Sequence, residues 1–198
     1  MKEMEICRHL DAAFEAFLEL IPSHLHDALR ENVYFAGGCI YCLRNDKEPK
    51  DYDMFLMSDE LIPELSELDI WRCTSEYALT TGKYQIVIKY FGDPCECVRE
   101  FDFKHNMYYY IPFSSRICSV NYEEEDKPFE DWDYLVTLEL HFNESRARDI
   151  EGVWLRVDKF VKRGMTISKE TKKKIRSRTT RKAVKQYKKR RKYNKNYY

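Results

Sequence analysis

Apolar side chains recur every three or four positions over the first twenty residues of the chain. This spacing predicts an amphipathic helix over residues 5–20. Pro22 and Ser23 interrupt the pattern, and the serine can cap a second, short helix that runs to Leu29. The N-terminal part of the chain is therefore expected to be helical.

An unbroken apolar run at residues 33–36 leads into Gly37 and Gly38. A short apolar run bounded by glycine is typical of a buried strand. A short helix over residues 39–43 should follow the two glycines, and residues 45–50 form a polar loop that contains a proline. The predicted order is strand, diglycine, helix and loop.

Acidic and apolar side chains alternate from Asp51 to Asp53, and the chain is then wholly apolar as far as Met57. This pattern predicts a strand, in which side chains two residues apart point to the same face of the sheet. Asp51 and Asp53 should therefore share one face. A helix that Ser58 can cap is predicted to follow and to end near Leu68.

Residues 70–80 and 83–90 resemble the two strands of a hairpin, because Thr81-Gly82 between them is a typical turn sequence. Short apolar runs follow at residues 98–103 and 107–111. These runs are short enough to be strands or brief helices.

Apolar residues between positions 129 and 162 recur at helical spacing, so this part is predicted to be mostly helical, with Gly164 as its C-cap. Beyond Ser168 the chain is rich in Lys, Arg and Tyr and almost lacks an apolar stripe. This composition indicates either a helix surrounded by solvent or a segment that is disordered until it binds a partner.

The charges of the chain are separated along its length. Residues 1–158 carry 16 Lys and Arg against 33 Asp and Glu, whereas residues 159–198 carry 18 against 1. Such a basic segment favours a nucleic-acid partner, because each phosphate that it neutralises releases condensed counterions. Its interleaved tyrosines can stack on bases. The alternative is that the basic segment folds back on the acidic body.

The first residues are polar and charged, and no later run is long enough to span a membrane, so we expect a cytoplasmic protein. Its seven cysteines should then be reduced thiols. Cys39 and Cys42 could form a zinc site with Cys95 and Cys97. We favour this interpretation less, because the first pair lies in the predicted helix after the diglycine.

The diglycine and the two aspartates form the informative combination. Glycines between a strand and a helix let backbone N–H groups approach a triphosphate. Two carboxylates on one strand face can bind magnesium ions that activate a hydroxyl and neutralise leaving pyrophosphate. Either motif alone is weak evidence, since a diglycine can be an ordinary tight turn and Asp-x-Asp is common at strand edges. Their occurrence together, in the order strand, diglycine, helix, loop and aspartate strand, favours the functional interpretation.

Three segments carry motifs that resemble a known family. They are Phe35-Ala-Gly-Gly with Pro49-Lys-Asp-Tyr-Asp, then Asp102-Phe-Lys-His-Asn106, then residues 155–171, which begin Leu-Arg-Val-Asp-Lys-Phe. In this order they resemble the polymerase-beta-like nucleotidyltransferases, and within them the head domain of tRNA CCA-adding enzymes and bacterial poly(A) polymerases. The resemblance is strongest to small standalone members of this superfamily, such as those carried by phages and bacteria.

The resemblance implies an α+β fold of the nucleotidyltransferase type, with a small mixed sheet flanked by helices, C-terminal helices and a basic tail. With the charge pattern it indicates three parts. These are a catalytic domain over residues 1–128, a helical segment over residues 129–168 that completes the nucleotide site, and a basic tail over residues 169–198, which is helical or disordered.

The resemblance also implies the site residues. Asp51, Asp53 and Asp102 would be the catalytic carboxylates and would bind Mg²⁺ or Mn²⁺, with Asp102 either a third metal ligand or a sugar contact. Residues implied to bind the NTP or dNTP are Gly37, Gly38, Arg44, Lys50, Asn106, Arg156 and Lys159. For Arg156 and Lys159 the alternative is an ordinary solvated helix face.

The chain departs from the family pattern at three places. Tyr41-Cys42 follows the diglycine where CCA-adding enzymes often have Arg-Asp, and Gln85 lies where a third carboxylate is usual. The long helical body that measures tRNA has no counterpart, so we do not expect CCA addition. Because Gln85 replaces a carboxylate, the alternative of a nucleic-acid-binding protein that has lost catalytic activity stays open.

The basic tail supplies candidate nucleic-acid contacts and candidate acceptors. The contacts are Lys172, Lys173, Lys174, Arg176, Arg178, Arg181, Lys182, Lys185, Lys188, Lys189, Arg190, Arg191 and Lys192. Tyr193, Tyr197 and Tyr198 could instead accept a nucleotide themselves, since a tyrosine hydroxyl can be a nucleophile when a metal or base lowers its effective pKa.

These observations predict an enzyme that moves a nucleoside monophosphate from an NTP or dNTP to a hydroxyl, with release of pyrophosphate. The acceptor is expected to be a 3′ end of RNA or single-stranded DNA. Self-nucleotidylation, a nucleic-acid-binding protein without catalysis, and a protein or small-molecule acceptor are the alternatives.

Overall fold

The computed structural model describes residues 1–146 and 150–179. The chain divides into two compact units. The first unit is formed by Met1–Arg99 and His105–Val136, and the second by Glu100–Lys104 with the residues from Thr137 onward. The functional boundaries predicted at residues 128 and 168 stay predictions.

The first unit combines helices with one mixed sheet. Its helices are α1 (Glu3–Leu18), α2 (His26–Asn32), α3 (Gly38–Arg44), α4 (Ile62–Ser66) and α5 (Pro94–Arg99). Its strands are β1 (Val33–Ala36), β2 (Tyr52–Leu56), β3 (Cys73–Thr74), β4 (Ala78–Thr81), β5 (Tyr84–Val87), β6 (Tyr108–Tyr110) and β7 (Cys118–Ser119). Single 3-10 turns lie at Ser23–Leu25, Lys104–Asn106, Phe129–Asp131 and Asp133–Leu135.

The strands lie in the order β3-β4-β5-β2-β1-β6-β7. β2 pairs in parallel with β5, and the other neighbouring strands are antiparallel. The strand with the two candidate aspartates is thus central, with β1 on one side and β5 on the other. Central strands are buried on both sides, which explains why β1 and most of β2 are apolar throughout.

Helix α1 packs its apolar stripe on one face of this sheet. The ring of Phe14 meets that of Phe35 edge-on at 6.2 Å, and the ring of Phe17 lies 5.6 Å from that of Tyr84. Both phenylalanines are fully buried, and each such burial stabilises the fold by roughly 1.5–3 kcal/mol. The apolar residues that recur every three or four positions therefore form the face of α1 that contacts the sheet, as predicted.

The same packing fixes which way the strand residues of β2 point. The ring of Tyr52 stacks on that of Tyr84 at 5.9 Å and so lies on the face that α1 covers. Because side chains alternate along a strand, Asp53 belongs to the opposite face of β2, and Asp51 lies immediately before the strand. That Asp51 and Asp53 share one face stays a prediction.

The second unit contains α6 (Val153–Lys162) and α7 (Lys169–Arg178), preceded by a 3-10 turn at Ile150–Gly152. Residues 102–104 run beside residues 141–143, since Lys104 N donates to the His141 carbonyl at 2.9 Å and Asn143 N donates to the Asp102 carbonyl at 2.8 Å. The Phe103 ring packs 5.6 Å from that of Phe160 on α6. This segment thus anchors the long helix of the unit.

Several predicted elements are confirmed and others are shorter or different. The helix over residues 5–20, the strand over 33–36 and the helix over 39–43 agree with α1, β1 and α3 to within two residues. The hairpin is present as β4 and β5, and Gly82 in its turn has a φ of 55°. Helix α4 begins only at Ile62, with Leu61 rather than Ser58 at its N-cap.

The predicted helical segment over residues 129–162 is confirmed only in part. Among the described residues of this segment, the helical ones are three 3-10 turns, at Phe129–Asp131, Asp133–Leu135 and Ile150–Gly152, and α6. Between them, backbone groups bond to other segments, since Leu140 N donates to the Thr166 carbonyl at 2.9 Å and Thr166 N donates to the Leu138 carbonyl at 2.7 Å. These tertiary hydrogen bonds override a helical pattern whose apolar residues are too few to bury a continuous face.

Candidate functional site

The diglycine forms the turn between β1 and α3. Gly37 has a φ of 80° and a ψ of −132°, a conformation that side chains with a Cβ rarely adopt. Its N–H donates to the Tyr108 carbonyl at 3.2 Å, which ties the turn to β6. Gly38 begins the helix, and a Cβ built there would meet nothing within 4 Å. Gly37 is therefore held in place by β6, whereas Gly38 has open space beside it.

This difference gives a prediction for a matched pair of variants. Gly37→Ala should lower the free energy of unfolding by about 1–3 kcal/mol, because alanine is strained at that φ and ψ. Gly38→Ala should leave stability unchanged or raise it by up to about 1 kcal/mol, because the position is helical and has space. Urea unfolding of the two variants measures both values, and equal losses would contradict the geometry.

Asp51 and Asp53 lie beside this turn in the first unit. Asp51 is exposed immediately before β2, and Asp53 is half-buried within the strand. Burial raises the pKa of the Cys39 thiol in the first turn of α3, and repulsion from the Asp53 carboxylate raises it further. The Asp53 charge is thus felt at the start of α3, so the aspartate strand and the diglycine turn are neighbours.

The residue between the two aspartates is firmly held from the α1 side. His9 Nε2 lies 2.7 Å from the Tyr52 hydroxyl, which donates to Glu48 at 3.4 Å. Burial raises the pKa of Tyr52, and the Glu48 carboxylate raises it further, so the hydroxyl keeps its proton. Lys83 lies 5.0 Å over the tyrosine ring. No sequence motif could have identified this support, because its members come from four separate segments.

Gln85 is the strand partner of Asp53, on the parallel neighbour β5. Its Nε2 donates to Thr80 Oγ1 at 3.2 Å, which holds the amide toward β4. An amide oxygen can bind a hard cation, but it brings no negative charge. The structure thus places glutamine directly beside the candidate carboxylate.

Arg44 and Lys50 are separated from the diglycine in sequence, and the contacts of Arg44 are made at the other end of α3. Arg44 ends α3, and its guanidinium donates to the Met1 carbonyl at 3.1 Å and lies 5.0 Å over the Phe129 ring. These contacts occupy the far end of the helix from Gly38. Lys50 is exposed in the loop before Asp51. A nucleotide contact by either residue stays a prediction.

Asp102 lies in the second unit, where it is the centre of a charge cluster. Its carboxylate forms ion pairs with Arg146 and with Nε of Arg156. The side chains of Asp102 and Arg146 are only 4% and 6% exposed, whereas that of Arg156 is 35% exposed. Arg146 was missed by the sequence reasoning, since no motif contains it.

The Arg156 side chain also depends on the residue four positions before it. A Cβ on Gly152 would lie 3.0 Å from Arg156 Nη1, so the glycine leaves room for the guanidinium. Lys159, one turn further along α6, is exposed. The pair is on one helix face at the predicted spacing of three.

Asn106 belongs to the first unit, in a 3-10 turn that precedes β6. Its Oδ1 is buried and has no hydrogen-bond partner among the residues that the structure describes. A buried acceptor without a partner costs free energy, so an unpaired amide of this kind suits a ligand donor. The neighbouring His105 ring packs edge-on against Tyr41 of α3 at 5.0 Å.

The predicted nucleic-acid contacts divide at residue 179. Lys172, Lys173, Lys174, Arg176 and Arg178 belong to α7, whose N-cap Ser168 accepts from Thr171 N at 3.1 Å. The remaining predicted contacts lie outside the described residues: Arg181, Lys182, Lys185, Lys188, Lys189, Arg190, Arg191 and Lys192. The candidate acceptors Tyr193, Tyr197 and Tyr198 also lie outside them.

The described residues contain no group of three or more His, Cys, Asp and Glu side chains that could hold a metal ion. The four cysteines of the alternative zinc site therefore do not form such a group. None of the seven cysteines, all of which lie in the described residues, forms a disulfide. Asp51 and Asp53 fit magnesium by chemistry, because Mg²⁺ prefers oxygen ligands and keeps several waters beside one or two carboxylates. None of the described helices has the length and apolarity needed to cross a membrane.

A family model described as Gad2, Gabija anti-defense 2 family protein, matches residues 9–120, which is more than half of the chain. The match covers the diglycine, both aspartates of β2 and the segment from Asp102 to Asn106. No curated protein matches the chain.

Solved structures with the same fold are CCA-adding enzymes. The Bacillus stearothermophilus CCA-adding enzyme in complex with CTP matches with a TM-score of 0.51 and 15% identity, over 81% of this chain and 42% of that chain. The Thermotoga maritima CCA-adding enzyme with tRNA matches with a TM-score of 0.46 and 15% identity, over 89% and 46%. A tRNA-processing enzyme matches with a TM-score of 0.45 and 20% identity, over 79% and 47%.

The chain therefore spans less than half the length of these three enzymes. The match with the Bacillus enzyme shows the fold, which is the α+β fold of the head domain of CCA-adding enzymes. The predicted fold class is confirmed.

Proposed function

The chain belongs to the Gabija anti-defense 2 family. We propose that it is a metal-dependent nucleotidyltransferase whose catalytic site is formed in the first unit by the diglycine turn and by Asp51 and Asp53 at strand β2. The observation that carries this proposal is the antiparallel pairing of β1, which leads into Gly37-Gly38, with β2, which contains Asp53. The sequence order strand, diglycine, helix, aspartate strand thus corresponds to neighbouring elements of one compact unit.

In the proposed reaction an acceptor hydroxyl attacks the α-phosphorus of an NTP or dNTP. A new oxygen–phosphorus bond forms, the bond to the pyrophosphate oxygen breaks, and the hydroxyl proton is lost. Asp51 and Asp53 would hold Mg²⁺ or Mn²⁺, which supplies Lewis-acid activation of the hydroxyl and neutralises the leaving pyrophosphate. The open backbone at Gly37 and Gly38 would receive phosphate oxygens.

Within the second unit, we propose that Asp102 positions Arg156 rather than binding a metal. Its carboxylate is buried between two guanidinium groups, and a carboxylate that is already neutralised by cations attracts a third cation weakly. Arg156 is one-third exposed and keeps N–H groups in a fork that suits phosphate or a base edge. In the first unit, the buried Oδ1 of Asn106 has no hydrogen-bond partner among the described residues, and it would accept a hydrogen bond from the sugar or base.

The proposed acceptor is the 3′ end of an RNA or single-stranded DNA. The basic residues of α7 support a nucleic-acid acceptor, and the fold shared with a CCA-adding enzyme that was solved with CTP supports a nucleoside triphosphate as the donor. The family description adds an anti-defense setting, so the transfer would act against Gabija defence.

The second candidate is a nucleic-acid-binding protein without catalysis. Gln85 beside Asp53 favours it, since a neutral amide holds a second ion less strongly than a carboxylate would.

The test is label transfer from each of the four NTPs and dNTPs, with Mg²⁺ or Mn²⁺, to single-stranded RNA, to single-stranded DNA and to the protein itself. We expect label on an oligonucleotide, dependent on metal and absent from an Asp51→Asn/Asp53→Asn variant. Label on tail peptides that contain Tyr193, Tyr197 or Tyr198 would instead establish self-nucleotidylation. Metal-independent nucleotide binding with no transfer in any arm would overturn the enzyme proposal in favour of the binding protein.

A further inference from the structure

Helix α7 carries six cations in ten residues, and the structure separates them into two groups. Its sequence is Lys-Glu-Thr-Lys-Lys-Lys-Ile-Arg-Ser-Arg, and only Thr171 and Ile175 are buried. The two buried residues are four apart and therefore mark the side of the helix that faces the core of the second unit. The cations can be placed relative to that side.

Lys174 and Arg178 are held by their own unit. Lys174 Nζ lies 2.7 Å from a carboxylate oxygen of Glu144 and 3.5 Å from one of Glu170. The Arg178 guanidinium donates to the backbone carbonyls of Glu144 and of Arg146, the latter at 2.7 Å. These two cations therefore join α7 to the segment at residues 144–146, and that segment carries the arginine that binds Asp102.

The other four cations form a separate surface, which we call the α7 cationic face and which consists of Lys169, Lys172, Lys173 and Arg176. At 3.6 residues per turn they fall within an arc of about 100° around the helix. Lys169, Lys173 and Arg176 are exposed, and Lys172 is half-buried. None of the four makes an ion pair within the described part of the chain.

No acidic residue lies on this arc. Glu170, the one acid of α7, pairs with Lys174 on the other side of the helix. Lys169 and Lys173, and likewise Lys172 and Arg176, are four apart, which separates their Cβ atoms by about 6 Å. The α7 cationic face therefore presents two short rows of positive charge that no acidic side chain of the described residues pairs with.

We propose that the α7 cationic face is the docking surface for the sugar-phosphate backbone of a single-stranded nucleic acid. The row spacing is close to the distance between successive phosphates of an extended strand, and unpaired cations release counterions when they meet phosphates. Single strands suit the surface because the proposed reaction needs a free terminal hydroxyl. The inference rests on the proposed function only for its acceptor, since binding requires neither metal nor nucleotide.

The test compares two charge-matched variants of the full chain. One is Lys173→Gln/Arg176→Gln on the α7 cationic face, and the other is Lys174→Gln/Arg178→Gln on the opposite side. Fluorescence anisotropy measures binding to labelled single-stranded RNA and DNA of roughly 12 nucleotides, over a range of salt and with a chelator in place of metal and NTP.

We expect the first variant to bind about tenfold more weakly and to reduce the slope of log affinity against log salt by about 1.4, with an unchanged Tm. The second should bind within about twofold of the wild type but unfold at a lower Tm, because it loses the bonds to residues 144–146. This split supports the proposal even if no nucleotidyl transfer is found.

Equal weakening by the two variants would overturn the proposal, because net charge rather than the α7 cationic face would then govern binding. Wild-type affinity in the first variant would overturn it as well. Competition by polyglutamate as strong as that by unlabelled oligonucleotide would assign the surface to an acidic protein partner instead.

Discussion

Replacing Asp53 with asparagine is expected to lower the rate of nucleotidyl transfer by about a thousandfold, since loss of several kcal/mol of metal-derived stabilisation corresponds to that factor. Asp53 lies in the central strand beside the diglycine turn, so its oxygen position is fixed by β1 and β5. Single-turnover transfer measures the rate. A thermal shift with Mn²⁺ should occur in the wild type and be absent from the variant, because a ligand stabilises only the state that binds it.

Asp59→Asn is the matched control. Asp59 is exposed, lies in the same unit and changes the net charge equally. It should retain both the rate and the metal-dependent shift. Full activity in Asp53→Asn, or an equal loss in Asp59→Asn, would remove the aspartate strand from the proposed mechanism.

Asp102→Ala is expected to lower the free energy of unfolding by about 3–5 kcal/mol, the usual cost of removing one partner from a buried ion pair. Arg146 would be left 6% exposed with no carboxylate against it at this place. Urea unfolding measures the loss.

A double-mutant cycle separates the pair from its surroundings. Asp102→Ala should cost much less in an Arg146→Met background than in the wild type, because the unpaired buried charge is then absent. Additive losses would show that the two side chains are not coupled. If Asp102→Ala abolished metal binding instead, with stability retained, Asp102 would be a metal ligand and our assignment of a positioning role would be wrong.

The parts of the fold that were predictable are those governed by neighbouring residues. The stripe of α1 has a period of 3.6, and the apolar run of β1 ends at a diglycine, so both follow from local geometry. The hairpin of β4 and β5 has Gly82 at a positive φ, and the sequence Thr81-Gly82 predicted a turn at this position. The segment from residue 136 to 146 was mistaken for helix, because its backbone partners are as distant as residues 102 and 166.

The candidate site divides in the same way. Gly37, Asp51 and Asp53 lie within one short stretch, so a motif could identify them. The support of Tyr52 by His9 and Lys83 was not foreseeable, since those residues are about thirty to forty positions away on other elements. A motif also identified Asp102 but not its partner Arg146, which changes its chemistry from an available ligand to a neutralised anion.

By itself the sequence determined the order of strand, diglycine, helix and aspartate strand, and the concentration of positive charge after residue 158, because both are properties of adjacent residues. Only the tertiary structure decided which charges are paired. Asp102 is joined to Arg146 and Arg156, and Lys174 to Glu144, while Lys173 and Arg176 on the same helix make no described ion pair. Ion pairs depend on distances of a few ångströms between residues far apart in the chain, and those distances exist only after folding.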